Sequence, residues 1–331
     1  MEALTLGVAI ALLAVLAAEF VNGWTDAPNA IATVVSTGVM TPRNAIIMAV
    51  VLNTLGAMAG TAVATTVGKG IVSPESLTIP AITATMIAII AWGSMAAKLG
   101  FPVSKSHALL AGLAGAGYAG GGWDALQWSG WQKVGIGMVC SLGLGFVGAF
   151  LIGKVIIKLA AGASPNRAKR NFDYAQMVSA AFMAFNHGLN DGQKFMGVFA
   201  LTLLAGGVTK EFMIPWWVII VCALTMGIGT SAGGWRIIET VGVKMARITS
   251  WQGFAATAAA STTIFGASYY GIPLSTTHTI TSSIVGVGAG KRTSDVRWGV
   301  LRRIVTAWLL TFPCCAIIAY FAALIANALW T

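Results

Sequence analysis

Charge is scarce in this chain. Asp, Glu, Lys and Arg make up 9 % of its 331 residues, against 57 % hydrophobic residues and a mean hydropathy of +0.81. Soluble domains carry about 25 % charged residues. The shortage excludes a soluble protein and leaves an all-α polytopic membrane protein with little mass outside the bilayer. There is no P-loop pattern, so no ATP-driven pump is encoded here. Glycine runs such as Gly143-Leu144-Gly145 are read instead as small-residue faces for close helix packing. Cysteine is limited to Cys140, Cys222, Cys314 and Cys315, all within apolar runs and without metal-ligand spacing, so they count as small core residues. His107, His187 and His278 are too dispersed for a zinc site. No cofactor is expected. Met1-Glu2 offers no basic leader, so the first apolar segment is read as a mature helix.

The net charge is +10. No soluble basic face exists to bind nucleic acid, so the excess is assigned to positive-inside topology and to anionic lipid. Apolar runs fall at roughly 3–38, 44–67, 79–98, 104–119, 133–160, 174–204, 212–232, 250–269, 275–289 and 299–330. Those at 104–119 and 275–289 are short enough for half-helices or re-entrant segments. About 10–12 membrane segments are expected in all. Basic residues cluster at Lys154–Arg170, at Arg236–Arg247 and at Lys291–Arg303, which places those three regions inside. Trp123, Trp128, Trp131, Trp216 and Trp217 then mark the outer interface, and Trp235, Trp251 and Trp298 the inner one.

The first run carries Asn22-Gly23-Trp24-Thr25-Asp26-Ala27-Pro28-Asn29 in its middle. A straight span needs only ~20 residues, so a break is expected here. An acid at mid-membrane costs at least ~2.5 kcal/mol. The motif returns as His187-Gly188-Leu189-Asn190-Asp191-Gly192-Gln193-Lys194, and Phe20, Gly23 and Asp26 align with Phe185, Gly188 and Asp191. A second motif, Pro102-Val103-Ser104-Lys105-Ser106-His107, returns as Pro273-Leu274-Ser275-Thr276-Thr277-His278. The chain therefore divides into a first membrane repeat (1–160), a basic cytoplasmic linker (161–173) and a second repeat (174–331). Five runs precede the linker, so the second repeat is inverted in the membrane. Inverted repeats with polar breaks in corresponding helices are the pattern of secondary transporters, whose site lies near mid-membrane.

Asp26 and Asp191, with Asn22, Asn29 and Asn190 close in sequence, suit a cation site for Na⁺ or a proton relay; the rival reading is a capped helix break. Asn53 either faces this site or makes an ordinary interhelical hydrogen bond. The two Pro-x-Ser stretches read as helix N-termini within the membrane. Such ends offer free N–H groups and about half a positive charge. With the hydroxyls of Ser104, Ser106, Ser275, Thr276 and Thr277 they can face each other across one tetrahedral oxyanion. The bland alternative is an ordinary pair of capped helix starts. His107 and His278 are expected to orient this site, and Lys105 and Lys194 to offset charge or to snorkel. Lys194 fills the slot that Asn29 holds in the first half, so the halves are not equivalent.

Residues 22–35, 187–194 and 273–278 resemble the signatures of the inorganic phosphate transporter (PiT) family, bacterial low-affinity branch. The resemblance covers essentially the whole chain. It implies an inverted-repeat secondary transporter that imports phosphate by symport with Na⁺ or H⁺, not an enzyme, in a bacterial inner or plasma membrane and often as a homo-oligomer such as a dimer. It implies that Asp26, Asn29, Asn190 and Asp191 serve cation sites. Ser104, Lys105, Ser106, Ser275, Thr276 and Thr277, with Gln193, would serve phosphate, free or as a metal–phosphate complex. The chain departs from the pattern at Thr25, where His or Asn is common, at Pro28, where a small residue is usual, and at Lys105. The rivals are a sulfate permease on the same scaffold and an intramembrane enzyme using Asp and His. Repetition of the same elements in both halves suits alternation better than catalysis.

Overall fold

The computed structural model describes residues 5–330, without the side chains of 329 and 330. Residues 1–4 and 331, which include Met1-Glu2 and the outermost ends of both repeats, lie outside the described residues. Those described are helical, with no strand beyond isolated bridges at Val72–Leu126 and Ala246–Val296. In chain order the helices are α1 (Leu6–Ser36), α2 (Pro42–Met58), α3 (Ala62–Gly70), α4 (Ile79–Leu99), α5 (Lys105–Gly121), α6 (Trp128–Leu159) and α7 (Pro165–His187). After a π turn at Gly188–Gly192 come α8 (Gln193–Ala205), α9 (Trp216–Ser231), α10 (Trp235–Glu239), α11 (Ser250–Tyr269), α12 (Thr276–Lys291) and α13 (Trp298–Trp330). Four of them, α1, α4, α6 and α13, are long and apolar enough to span a membrane. Two bent pairs, α2 with α3 at 66° and α9 with α10 and its π extension at 65°, bring the number to six.

The bent pairs occupy the same place in each half, and the rest follows in register. α1 corresponds to α7 with α8, α4 to α11, α5 to α12 and α6 to α13. The helix contacts repeat with the same correspondence: α1 packs on α4 and α9, as α7 packs on α11 and α2. α5 packs most heavily on α13 and α12 on α6, so each short helix is held by the long last helix of the opposite repeat. Glycine permits the closest crossings. A Cβ on Gly56 would lie 1.9 Å from the Phe185 carbonyl oxygen, and one on Gly229 2.2 Å from that of Phe20.

Three expectations change. α1 runs unbroken through residues 22–29 with Pro28 inside it. Pro28 cannot donate to the Trp24 carbonyl, and Gly234 packs against that oxygen and the proline ring, so the gap is filled by packing rather than by a break. The break falls only in the second half, as the π turn that holds Asp191. Next, the segment 161–173 read as linker is already helix from Pro165, because Ser164-Pro165 is itself a helix start with proline at the first turn. Finally, α10 lies in none of the apolar runs. Gly233, Gly234, Arg236 and Glu239 hide it, although it is the counterpart of α3.

Two apolar clusters form the core. One joins the N-terminal half of α1 to α3, α5, α8 and α9; the other joins its C-terminal half to α7, α11 and α12. The three basic regions gather at the second end. There a cleft of about 560 Å³ is lined by Ser36, Ile156, Lys169, Asp173 and Trp251, and the Ala246–Val296 bridge ties the other two regions together. We call this the inner end. Trp123, Trp128 and Trp216 stand exposed at the opposite, outer end. Between the two apolar clusters lies a layer of buried polar side chains.

Candidate functional site

That layer is built where α5 and α12 begin. Ser104 and Ser275 cap these helices by accepting from the backbone N–H of His107 and His278, each at 3.2 Å. The two starts touch: Ser106 Oγ donates to the Leu274 carbonyl at 3.1 Å, and the His107 and His278 rings meet edge to face at 4.5 Å. Two helix N-termini from opposite repeats thus bring together about one positive charge in total. The exchange of last helices accompanies this meeting: α13 seats α5 and α6 seats α12, with the two helix starts head to head.

Asp26 and Asp191 face these helix starts. Lys105 Nζ lies 2.9 Å from Asp26 Oδ1, and Thr276 Oγ1 donates to Asp191 Oδ2 at 2.8 Å. These contacts are equivalent under the repeat, Lys105 standing where Thr276 stands. A second equivalent pair crosses between repeats. Asn29 Nδ2 donates to Thr277 Oγ1 at 3.0 Å, and Lys194 Nζ to Ser106 Oγ at 2.5 Å. Lys194 also bonds Asp191 Oδ1 at 2.5 Å and the Leu274 carbonyl at 2.7 Å, so all three of its protons are placed. Asp26, Asp191, Lys105 and Lys194 are each at most 2 % exposed. Four buried charges in an apolar bundle are tolerable only as pairs with further hydrogen bonds, and that is how they are arranged. Asp26 and Asp191 thus each have an ammonium partner. Ligand atoms of Asp26, His187 and Asp191 also lie within 4.8 Å of one another.

Other residues are less central than their motif positions imply. Asn22 turns its amide to Glu19 Oε2 at 3.2 Å, and Asn190 bonds Ser268 at 2.8 Å and the Ile272 carbonyl. Gln193 accepts from the Val63 N–H at 2.9 Å and so caps α3. Asn53 is one residue removed: it bonds Thr230 at 3.1 Å and His187 Nδ1 at 3.1 Å, and His187 Nε2 lies 3.4 Å from Asp191 Oδ2. His278 packs on Trp308 with its ring nitrogens unbonded within the described chain, and His107 packs on Phe312.

Sequence reasoning set His187 aside and passed over Glu19. Both had a signal. His187 precedes Asp191 by four residues, one helical turn, and Glu19 precedes Asp26 by seven, two turns on the same face.

Inverted helical repeats whose half-helices meet head to head at a buried charged layer define a membrane transporter rather than an enzyme. The chain belongs to the phosphate transporter family, whose description it matches over residues 22–164 and 158–319. It is 41 % identical to a Rhizobium meliloti chain named "Probable low-affinity inorganic phosphate transporter", over 92 % of this chain and 93 % of that one. A Bacillus subtilis chain of the same name is 38 % identical over 100 % of both. Among solved structures, "The sodium-dependent phosphate transporter" superposes with a TM-score of 0.89 over 98 % of this chain and 100 % of that one, at 24 % identity. The fold is therefore shared along its whole length, and the chain is a multi-pass membrane protein.

Proposed function

We propose that the protein imports inorganic phosphate into a bacterial cell by symport with a cation, Na⁺ or H⁺, by alternating access to the layer between the two apolar clusters. The single observation that supports this best is the meeting of two helix N-termini, from opposite repeats, beside two ammonium groups. Free N–H groups, hydroxyls and ammoniums are the donor set for a tetrahedral oxyanion. Phosphate would take hydrogen bonds from Ser106, Thr276, Thr277, Lys105 and Lys194, with Asn29 beside them. Ser104 and Ser275 would hold the helix ends in place. Asp26 and Asp191 would keep the ammoniums from being buried alone when the site is empty. The division into repeats 1–160 and 174–331, related by inversion, supplies the two equivalent conformations that alternation needs. Substrate form, free phosphate or a metal–phosphate complex, and assembly as a dimer stay within this proposal.

The test is uptake of labelled phosphate by proteoliposomes under separately imposed Na⁺ and pH gradients. Accumulation against the phosphate gradient is expected with one of them, and sulfate is expected to be taken up at least tenfold more slowly. Equal sulfate uptake would point to the sulfate permease, and no accumulation under either gradient would sink symport. Asp26→Asn and Asp191→Asn are each expected to lower uptake at least tenfold; normal transport by both would remove the carboxylates from the site.

A further inference from the structure

Three carboxylates are buried on this side of α1, not two. Glu19 is 0 % exposed. Its Oε2 accepts from the Asn22 amide at 3.2 Å, and its Oε1 has no partner among the described residues. Asp26 and Asp191 each have a lysine, so no ammonium remains for Glu19. Seven residues separate Glu19 from Asp26, which places it about 10 Å along the helix axis toward the outer end and on nearly the same face.

The groups that act on Glu19 can be named. Asp26 lies on its own helix, Asp191 and Lys194 come from the π turn and α8, and Cys222 comes from α9. His187, at the end of α7, lies behind Asp191. The other charged residues of helices packed on α1, such as Arg43, Lys98, Arg236 and Glu239, are exposed at helix ends. Glu19 thus bonds one amide and no cation; the Lys194 ammonium acts on it only at a distance, its hydrogen bonds going to Asp191, Ser106 and the Leu274 carbonyl. A hard metal ion would need several oxygen ligands, and the Asn22 amide is the one polar side chain bonded to Glu19 among the described residues. A proton needs only the free Oε1.

We propose that Glu19 carries the coupling proton, on the way from the outer end to the phosphate site. This rests on the reading of that site as a phosphate site. A buried carboxylate with a single amide partner is costly when ionised, and a proton on Oε1 removes that cost. An anion arriving about 10 Å away makes the ionised form costlier still. Protonation and phosphate binding therefore favour each other by the same factor, on the order of tenfold for unit charges at that distance. The balance is simple: one proton joins Oε1 from the outside, Oε2 keeps the Asn22 bond, and the same proton leaves inside with the phosphate.

Purified full-length protein in proteoliposomes separates this from other roles. Two readouts are compared: phosphate–phosphate exchange without any gradient, and accumulation driven by an inward pH gradient with Na⁺ absent. Wild-type protein is expected to do both. Glu19→Gln is expected to keep exchange, which moves no net proton, and to lose at least tenfold in accumulation. Glu19→Asp, which keeps an acid, is expected to keep accumulation. Accumulation by the Gln variant at the wild-type level overturns the proposal, and so does an Asp variant that exchanges without accumulating. Loss of exchange by a Gln variant that still elutes as a single folded species also overturns it, since a packing or substrate-contact role would do that. If wild-type protein exchanges phosphate but follows only a Na⁺ gradient, the Glu19 assignment alone falls. If it exchanges no phosphate, the reading of the site falls.

Discussion

Lys194 and Asn29 hold equivalent positions, yet one brings a full charge and the other a neutral amide to the opposite helix start. Lys105 and Thr276 differ in the same way. The site is symmetric in its hydrogen bonds and asymmetric in its charge: Lys105 bonds Asp26 and Lys194 bonds Ser106 and Asp191, while their counterparts under the repeat, Thr276 and Asn29, are neutral. The ion pairs have a measurable consequence. Removing one partner of a buried pair leaves the other unpaired, at a cost of about 3–5 kcal/mol. Lys105→Met is therefore expected to lower the unfolding midpoint in detergent substantially. Combined with Asp26→Asn it should recover much of that loss. A double variant whose loss equals the sum of the single ones would show that the two groups do not interact. Asp26, Asp191 and the Ser/Thr starts were legible as candidate site residues because an acid or a hydroxyl cluster inside an apolar run needs a reason, and the structure brings them into one buried layer. The directions of Asn22, Asn190 and Gln193 were not legible. An amide bonds whichever polar group packing brings near, and here those are Glu19, Ser268 and the free N–H at the start of α3.

Single elements show how local chemistry is overruled. A proline between two amides reads as a helix break, but α1 continues through it, with Gly234 packed against the carbonyl that Pro28 leaves free. The equivalent stretch around Asp191 has no proline and does deform, into a π turn, a form common at functional positions. Packing between elements also predicts which glycines matter. Gly56→Ala would drive a methyl group into the Phe185 carbonyl, where α2 crosses α7. We expect it to cost more than the ~1–3 kcal/mol of ordinary overpacking and to lower the yield of folded protein. Gly143→Ala, on an open face of α6 with nothing within 4 Å, is expected to be neutral or to stabilise by about 0.5–1 kcal/mol. Thermal denaturation of the two variants side by side checks both. Equal losses would mean that the helix crossing is not set by Gly56.

At the scale of the molecule, exchange of last helices locks the two repeats together. α13 covers α5, and α6 covers α12, so neither half can close its own short helix. Neither repeat is expected to be stable alone. The same architecture fixes which ends share a side. With the four native cysteines replaced, a cysteine at Ala163, exposed before α7, should react with an impermeant maleimide only from inside the cell. One at Lys210, exposed after α8, should react only from outside. Labelling of both from one side would disprove the inverted arrangement.

The sequence by itself determined the class of the protein. Scarce charge and ten apolar runs demand a membrane, the placement of Lys and Arg orients it, and two motifs repeated in one order demand a duplicated fold. Those properties are additive along the chain, so they survive without coordinates. Tertiary structure decided which polar groups meet. It placed a lysine on each aspartate, left Glu19 with an open oxygen atom, kept α1 straight through a proline, and set two helix starts head to head. These outcomes depend on contacts between residues up to 247 positions apart, such as Asn29 and Thr276, and on how closely glycine lets backbones approach. No pattern read along a single segment contains that information.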